Sequence, residues 1–202
     1  MTLRLNGSNS GFTEVKAPAT AGSNTITLPT SNGSANQYLK NGSTAGTLEF
    51  ANGGKLLQVV SVLDGDHATT TAIIPLDDTK PQNTEGAEFL TAAITPTSST
   101  SKLWINVTVN LAANPADTVA MALFQDSGAD ALAATLGYMP TNNGSQVMTL
   151  NHYMTAGTTS ATTFKLRAGN TNAGTIAMNG GTTSRYFGGT ASSGITIMEI
   201  AA

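Results

Sequence analysis

The residues that could do chemistry in this chain of 202 are few, and their spacing narrows the choice further. Cysteine is absent, which removes disulfides, thiolate nucleophiles and zinc-thiolate sites. The two histidines, His67 and His152, lie 85 positions apart. Asp64, Asp66 and His67 place three oxygen or nitrogen donors within four residues, the densest metal-ligand candidate in the chain. The same stretch also reads as a hairpin corner, because Asp-Gly supplies the backbone angles a tight turn needs. His152 sits in MTLNHYM, where strand periodicity puts it on one face with Met148, Leu150 and Met154. A core or interface position suits it better than a catalytic one.

No serine nucleophile elbow and no phosphate-binding Gly-Lys-Ser/Thr loop occurs; the stretch from Gly7 to Gly11 comes nearest to the elbow but carries Asn9 at the nucleophile position. The acidic pairs Asp77-Asp78 and Glu85/Glu88 flank a proline loop, and aromatic residues, which line most sugar clefts, make up only 5% of the chain. The reading is therefore non-enzymatic, with no cofactor. The five Asn-x-Ser/Thr sites, at Asn6, Asn32, Asn41, Asn106 and Asn143, read as turn or strand chemistry before glycan acceptors.

Trp104 is the most informative aromatic. In LWINVTVNL, Leu103, Ile105, Val107, Val109 and Leu111 alternate with Trp104, Asn106, Thr108 and Asn110. That is a strand with one face in a core and Trp104 on the other. Phe124 is likewise set against Met121 and Leu123. A large aromatic on the second face needs a cover, from a partner subunit, from the N-terminal segment or from a loop of its own chain. A carbohydrate-stacking platform at Trp104 is a further reading.

The elements that position these residues are strands throughout. Candidates are Leu3–Leu5, Gly11–Lys16, Ser23–Leu28, Gln37–Lys40, Thr47–Phe50, Lys55–Asp64, Ala68–Ile74, Glu88–Thr95, Leu103–Leu111, Val119–Leu123, Gln146–Thr155, Phe164–Ala168 and Ile195–Ile200. Asp130–Leu136 is the one stretch where a short helix or turn fits. Turn signals every ten or so residues make this an all-β chain: an N-terminal segment of short strands and turns followed by an antiparallel β-sandwich of jelly-roll type. The expected organisation is residues 1–50 as an attachment and trimerisation segment, 51–54 as a Gly-rich hinge and 55–202 as the sandwich.

Charged residues make up 10% of the chain, well under the roughly 25% of ordinary soluble domains. With a net charge of −3, nothing attracts nucleic acid or anionic lipid. No apolar run reaches membrane-spanning length, and the N-terminus shows no signal-peptide pattern. A Thr/Asn/Ser/Gly surface is cheap to desolvate against another subunit. Each early strand offers only two or three apolar side chains, too few for an isolated hairpin. Tyr38, Leu39, Leu48 and Phe50 are accordingly expected, with Trp104 and Phe124, to bury against other chains.

The pieces SGFTEVKAPATAGSNTITLP and NGSANQYLKNGSTAGTLEF resemble a segment common in virion structural and tail-fibre proteins of tailed phages, especially marine cyanophages. The later pieces SKLWINVTVNL, TTSATTFKLRAG and SSGITIMEI are similar to phage modules of the C1q/tumour-necrosis-factor jelly-roll type. The resemblance implies a homotrimer on a virion assembled in the host cytoplasm. Its partners would be itself, other capsid, tail or portal-proximal proteins, and a host surface glycan or protein. A fibre or spike role leads, with loops Asn114–Asp117, Thr141–Ser145 and Met178–Gly189 facing the host. A capsid decoration protein and a free carbohydrate-binding module are the alternatives.

Overall fold

The structure, a computed structural model, describes all residues except Met1, Thr2, Gly7, Ser8, Lys16, Ala17, Ala21, Asn24, Ala35, Asn36, Gly53 and Gly54. The chain divides into two compact units, Met1–Gly53 and Gly54–Ala202. The first contains two hairpins. β1 (Leu3–Asn6) pairs antiparallel with β2 (Phe12–Val15), and the Arg4 guanidinium lies 3.7 Å from the centre of the Phe12 ring. β3 (Gln37–Asn41) pairs with β4 (Leu48–Asn52), placing Leu39 opposite Phe50 and Lys40 opposite Glu49. Ser23–Leu28, expected as a strand, contributes a single parallel bridge from Thr27 to Thr47. Only its backbone is used there, through Thr27 N–H to the Gly46 carbonyl at 2.7 Å and Leu48 N–H to the Thr27 carbonyl at 2.8 Å. Leaving aside Leu3, Thr13 and Asn52, none of the described residues of this unit is buried. The expected Gly-rich hinge falls partly on β4, and its Gly53 and Gly54 lie outside the described residues, as do Gly7-Ser8 of the first turn and Lys16.

The second unit holds β5 (Leu56–Asp64), β6 (Ala68–Thr70), β7 (Ala87–Ile94), β8 (Lys102–Asn114), β9 (Thr118–Gln125), β10 (Ala133–Tyr138), β11 (Gly144–Thr155), β12 (Thr162–Asn170), β13 (Thr175–Met178) and β14 (Ser193–Ile200). One sheet runs β10-β9-β12-β7. The other runs β5-β14-β8-β11, with β13 following β14 along one edge of β8 and carrying β6. All of these strand pairs are antiparallel. Apart from the β9–β10 hairpin and the small β6/β13 insert, successive strands alternate between the sheets, which is jelly-roll connectivity. The core lies between the sheets. Leu103, Ile105, Val107, Val109 and Leu111 of β8 meet Leu90, Met121, Leu123, Phe164 and Leu166 across it, all buried. Period-two alternation on β8 is therefore the burial pattern itself.

Two expectations need correction. Asp130–Leu136 is no helix: its second half is β10, which pairs with β9 from Ala133↔Leu123 to Tyr138↔Thr118. Ala and Leu favour helix only weakly, and an unpaired ladder edge on β9 outweighs that preference. Phe124 does not wait for a partner, because it is 1% exposed and packs with Ile74 and Ala122 in a second cluster. Its cover is the segment after β6, which the sequence presents as the tail of a strand Ala68–Ile74. That segment leaves the ladder after Thr70 and straps across the sheet, where Ile74 N–H donates to the Asn170 carbonyl at 3.0 Å. The strap runs so close to β12 that a Cβ on Gly169 would stand 2.9 Å from Ile74 N, so only glycine fits there.

Candidate functional site

β8 is flanked by β11 on one edge and β14 on the other, and β5 lies beyond β14. The registers line up Tyr153, Trp104, Met198 and Val59 in one row across all four strands, on the face away from the core. Trp104 is 43% exposed and Tyr153 59%; Val59 is exposed and Met198 half-buried. The next row on this face, Asn151, Asn106, Thr196 and Ser61, is wholly polar. Its members bond to one another: Asn106 Nδ2 donates to Asn151 Oδ1 at 2.7 Å, and the Ser61 and Thr196 hydroxyls lie 3.0 Å apart. The stripe is thus aromatic and aliphatic, with this polar row on one side and Thr155, Lys102, Ile200 and Leu56 on the other. The position of Trp104 follows directly from its even number in the β8 alternation; the alignment of Tyr153, Met198 and Val59 beside it follows only from register.

The loops at one end of this sandwich converge. Ala116 N–H donates to Asn142 Oδ1 at 2.9 Å, and Thr182 Oγ1 donates to Asn143 Oδ1 at 2.5 Å. The three expected loops, Asn114–Asp117, Thr141–Ser145 and Met178–Gly189, thus form one surface. Its anchor is Asn179, fully buried at φ +60°. Its amide donates to the Asp64 carbonyl at 2.8 Å and the Asp66 carbonyl at 2.9 Å, and its Oδ1 accepts from Ser193 Oγ at 2.7 Å. One side chain ties three segments together. The sequence shows Asn179-Gly180 only as another turn dipeptide, so this role is invisible there.

Two of the three candidate cation ligands make contacts within the protein. Asp64 Oδ1 accepts from Asp66 N–H at 2.7 Å, and His67 Nε2 lies 2.8 Å from the Gly181 carbonyl oxygen. Among the described residues, no group of three or more His, Asp or Glu side chains could hold a metal ion. The corner reading of Asp64–His67 accounts for these contacts. His152 is half-buried beside Met148 and Leu150 on the core face, and burial lowers its pKa. Asp77 and Glu85 serve local turns, Asp77 Oδ1 accepting from Thr79 N–H and Oγ1 and Glu85 Oε2 from Gln82 N–H, whereas Glu88 of β7 lies 3.6 Å from Lys165 of β12. In the first unit, Tyr38 is 51% exposed, Leu39 and Phe50 are exposed, and Leu48 is half-buried. No helix among the described residues is long and apolar enough to cross a membrane.

A family model described as the Pgp3 C-terminal domain matches residues 77–202, from the strap before β7 to the end of β14 and beyond. No curated protein matches the chain. Among solved structures, the C-terminal domain of the sugar-binding protein EclA is 14% identical, covering 56% of this chain and 73% of that one at a TM-score of 0.34. VP2 of infectious bursal disease virus is 10% identical over 82% of this chain and 43% of its own, also at 0.34. Tailspike protein 4 of bacteriophage CBA120 is 16% identical over 59% of this chain and 18% of its own, at 0.25.

Proposed function

Because the chain belongs, through residues 77–202, to the Pgp3 C-terminal-domain family, we propose that its jelly roll is a self-associating domain and that the whole chain is a non-enzymatic virion structural protein. In this reading it is a homotrimer of the fibre or spike type, carried on the particle with its loop end toward the host. The observation that carries the reading is the row Tyr153–Trp104–Met198–Val59, an apolar stripe with no cover from its own jelly roll. Tyr and Trp are the side chains that most often dominate contact energetics.

A closed ring of three is built head to tail, so it needs two different complementary patches on each copy. The second is the rim of the other sheet. β10 has only β9 as a hydrogen-bonded neighbour, and Leu136 and Tyr138 stand 56% and 60% exposed along it. As an edge strand, β10 also exposes ladder hydrogen-bonding groups that a second copy can use, as do β5 and β11 at the two ends of the stripe. The first-unit sequence supports the viral setting through its resemblance to tailed-phage structural proteins, and the exposed Tyr38, Leu39 and Phe50 supply further surface for burial in an assembly.

The test is sizing with light scattering on the full chain at micromolar concentration. The wild type is expected as a trimer. Trp104→Asp places a charge in the middle of the stripe and is expected to give a monomer. Its melting temperature should stay close to that of dissociated wild type, because Trp104 lies outside the core. A monomeric wild type, or a Trp104→Asp variant that remains trimeric, overturns the proposal. The fibre or spike placement is checked separately on particles of the parent virus: the chain is expected to be absent from purified tailless heads, and its presence there assigns it to the capsid.

A further inference from the structure

The loop between β13 and β14 contains a side chain that folding alone does not account for. Phe187 has φ +52°, a left-handed conformation that a bulky residue adopts only under constraint, and its ring is 80% exposed. A strained backbone that presents an aromatic ring to solvent contributes nothing to the core. The surroundings hold it in place. Thr190 donates to the Phe187 carbonyl from both N–H, at 3.1 Å, and Oγ1, at 2.8 Å. Gly188 and Gly189 complete the turn at φ +64° and +95°. The Tyr186 ring meets Phe187 edge to face, with centroids 6.3 Å apart. The base of the loop is clamped through Asn179, and Gly180 bridges to Arg185.

Two residues before this ring, on the same loop, stands a cation without a partner. Arg185 is exposed and takes part in no ion pair or side-chain hydrogen bond. Its guanidinium lies against the turn, since a Cβ on Gly189 would be 3.2 Å from Arg185 Nη1. Residues 178–192 contain no acidic side chain. The neighbouring Thr183 and Ser184 are exposed, and their hydroxyls make no hydrogen bond to the protein.

We infer that this loop is a preorganised recognition site for an acidic carbohydrate, with Phe187 stacking on a sugar ring and Arg185 pairing with the carboxylate of a uronic acid. The guanidinium fork matches a carboxylate in two parallel hydrogen bonds. The free hydroxyls of Thr183 and Ser184 suit a polyol, and the exposed Phe187 ring offers a flat face on which a sugar can stack. Rigidity fixed before binding lowers the ordering cost of association. This inference deepens the host-contact reading above and rests on it, moving carbohydrate recognition from Trp104 to the opposite end of β8.

The experiment titrates the full chain with oligogalacturonate, alginate oligomers and hyaluronate oligomers. Methyl-esterified oligogalacturonate and polyglutamate serve as controls, and sizing is run on every sample. At least one uronate is expected to bind, with a loss of tenfold or more on esterification and in Arg185→Ala and Phe187→Ala, and with no comparable binding of polyglutamate. Phe187→Gly is the discriminating variant. Glycine accepts φ +52° without strain, so this variant should melt no lower than wild type while losing the ligand; a purely structural Phe187 would lower the melting temperature instead. No binding to any uronate, binding indifferent to esterification, or equal binding of polyglutamate overturns the inference while leaving a trimeric assembly intact. A monomeric wild type that still binds a uronate would instead count against the assembly reading alone.

Discussion

The β3–β4 hairpin and the β8–β11 pair are both antiparallel ladders that carry Leu and Asn, yet they solve the problem of burial in opposite ways. On β8, every odd-numbered residue from Leu103 to Leu111 is fully enclosed. Ordering one residue's backbone costs roughly 1–2 kcal/mol, and burying a Leu, Ile or Val side chain returns about 1.5–3 kcal/mol. Each inward position on β8 therefore covers its own ordering and part of its outward neighbour's. On β3 and β4 the same backbone cost applies, but Tyr38, Leu39 and Phe50 remain exposed. A ladder is not enough; a second layer must meet its face. β8 has that layer in β9 and β12 of the facing sheet, whereas among the described residues of its own unit the hairpin meets no second sheet, although Gly33 lies close against the Phe50 ring.

That contrast can be broken at its strongest point first. Ile105→Ala opens a cavity in the middle of the jelly roll and should cost about 2–5 kcal/mol of unfolding free energy, measured by denaturant titration of the second unit's transition. Leu39→Ala in the hairpin should leave that transition unmoved. An equal loss from both would mean that the two units melt as one body.

A smaller effect comes from the one carboxylate the jelly roll encloses. Burial alone would raise the Glu199 pKa above its ordinary 4.5, but hydrogen bonds from Gln58, Ser101 and Thr97 outweigh it and hold the carboxyl lower. Gln58 Nε2 donates at 2.6 Å, Thr97 N–H and Oγ1 at 2.8 Å and Ser98 N–H at 3.3 Å. A depressed folded pKa adds stability above the unfolded value, and that stability is lost as pH falls from about 4.5 through the folded value. Glu199→Gln should cost about 1.5–3 kcal/mol at neutral pH and flatten the acid limb of the stability curve. An unchanged acid limb would show that Glu199 does not set it.

The smallest effect belongs to the hairpin. Lys40 Nζ and Glu49 Oε1 are 3.0 Å apart on adjacent strands, but both side chains are about half exposed. Solvent screens such a pair. Glu49→Gln should leave the melting profile of the full chain unchanged, and a measurable shift would mean that this pair is covered in solution.

Much of the jelly roll was legible because its signal is local. Leu103–Leu111 reads as a half-buried strand without any knowledge of its neighbours, and the outward aim of Trp104 follows from counting. β10 was not legible, since Ala133-Ala134-Thr135-Leu136 lacks β-branched alternation and becomes a strand only through the open edge of β9. Phe124 misled for a related reason: its cover, Ile74, lies 50 positions earlier on a strap that no periodicity announces. The site was readable in the same proportion. The three loops could be named from their turn residues, but the buried Asn179 clamp and the strained Phe187 depend on backbone angles that composition does not carry.

The most direct test of the account is amide hydrogen exchange on the full chain, followed from concentrations where it is a single copy to concentrations where it is assembled. The account predicts that β8 amides stay protected throughout, while Tyr38–Asn41 and Leu48–Asn52 exchange freely in the single copy and become protected on assembly. Strong protection of those hairpin amides in the dilute single copy would contradict it.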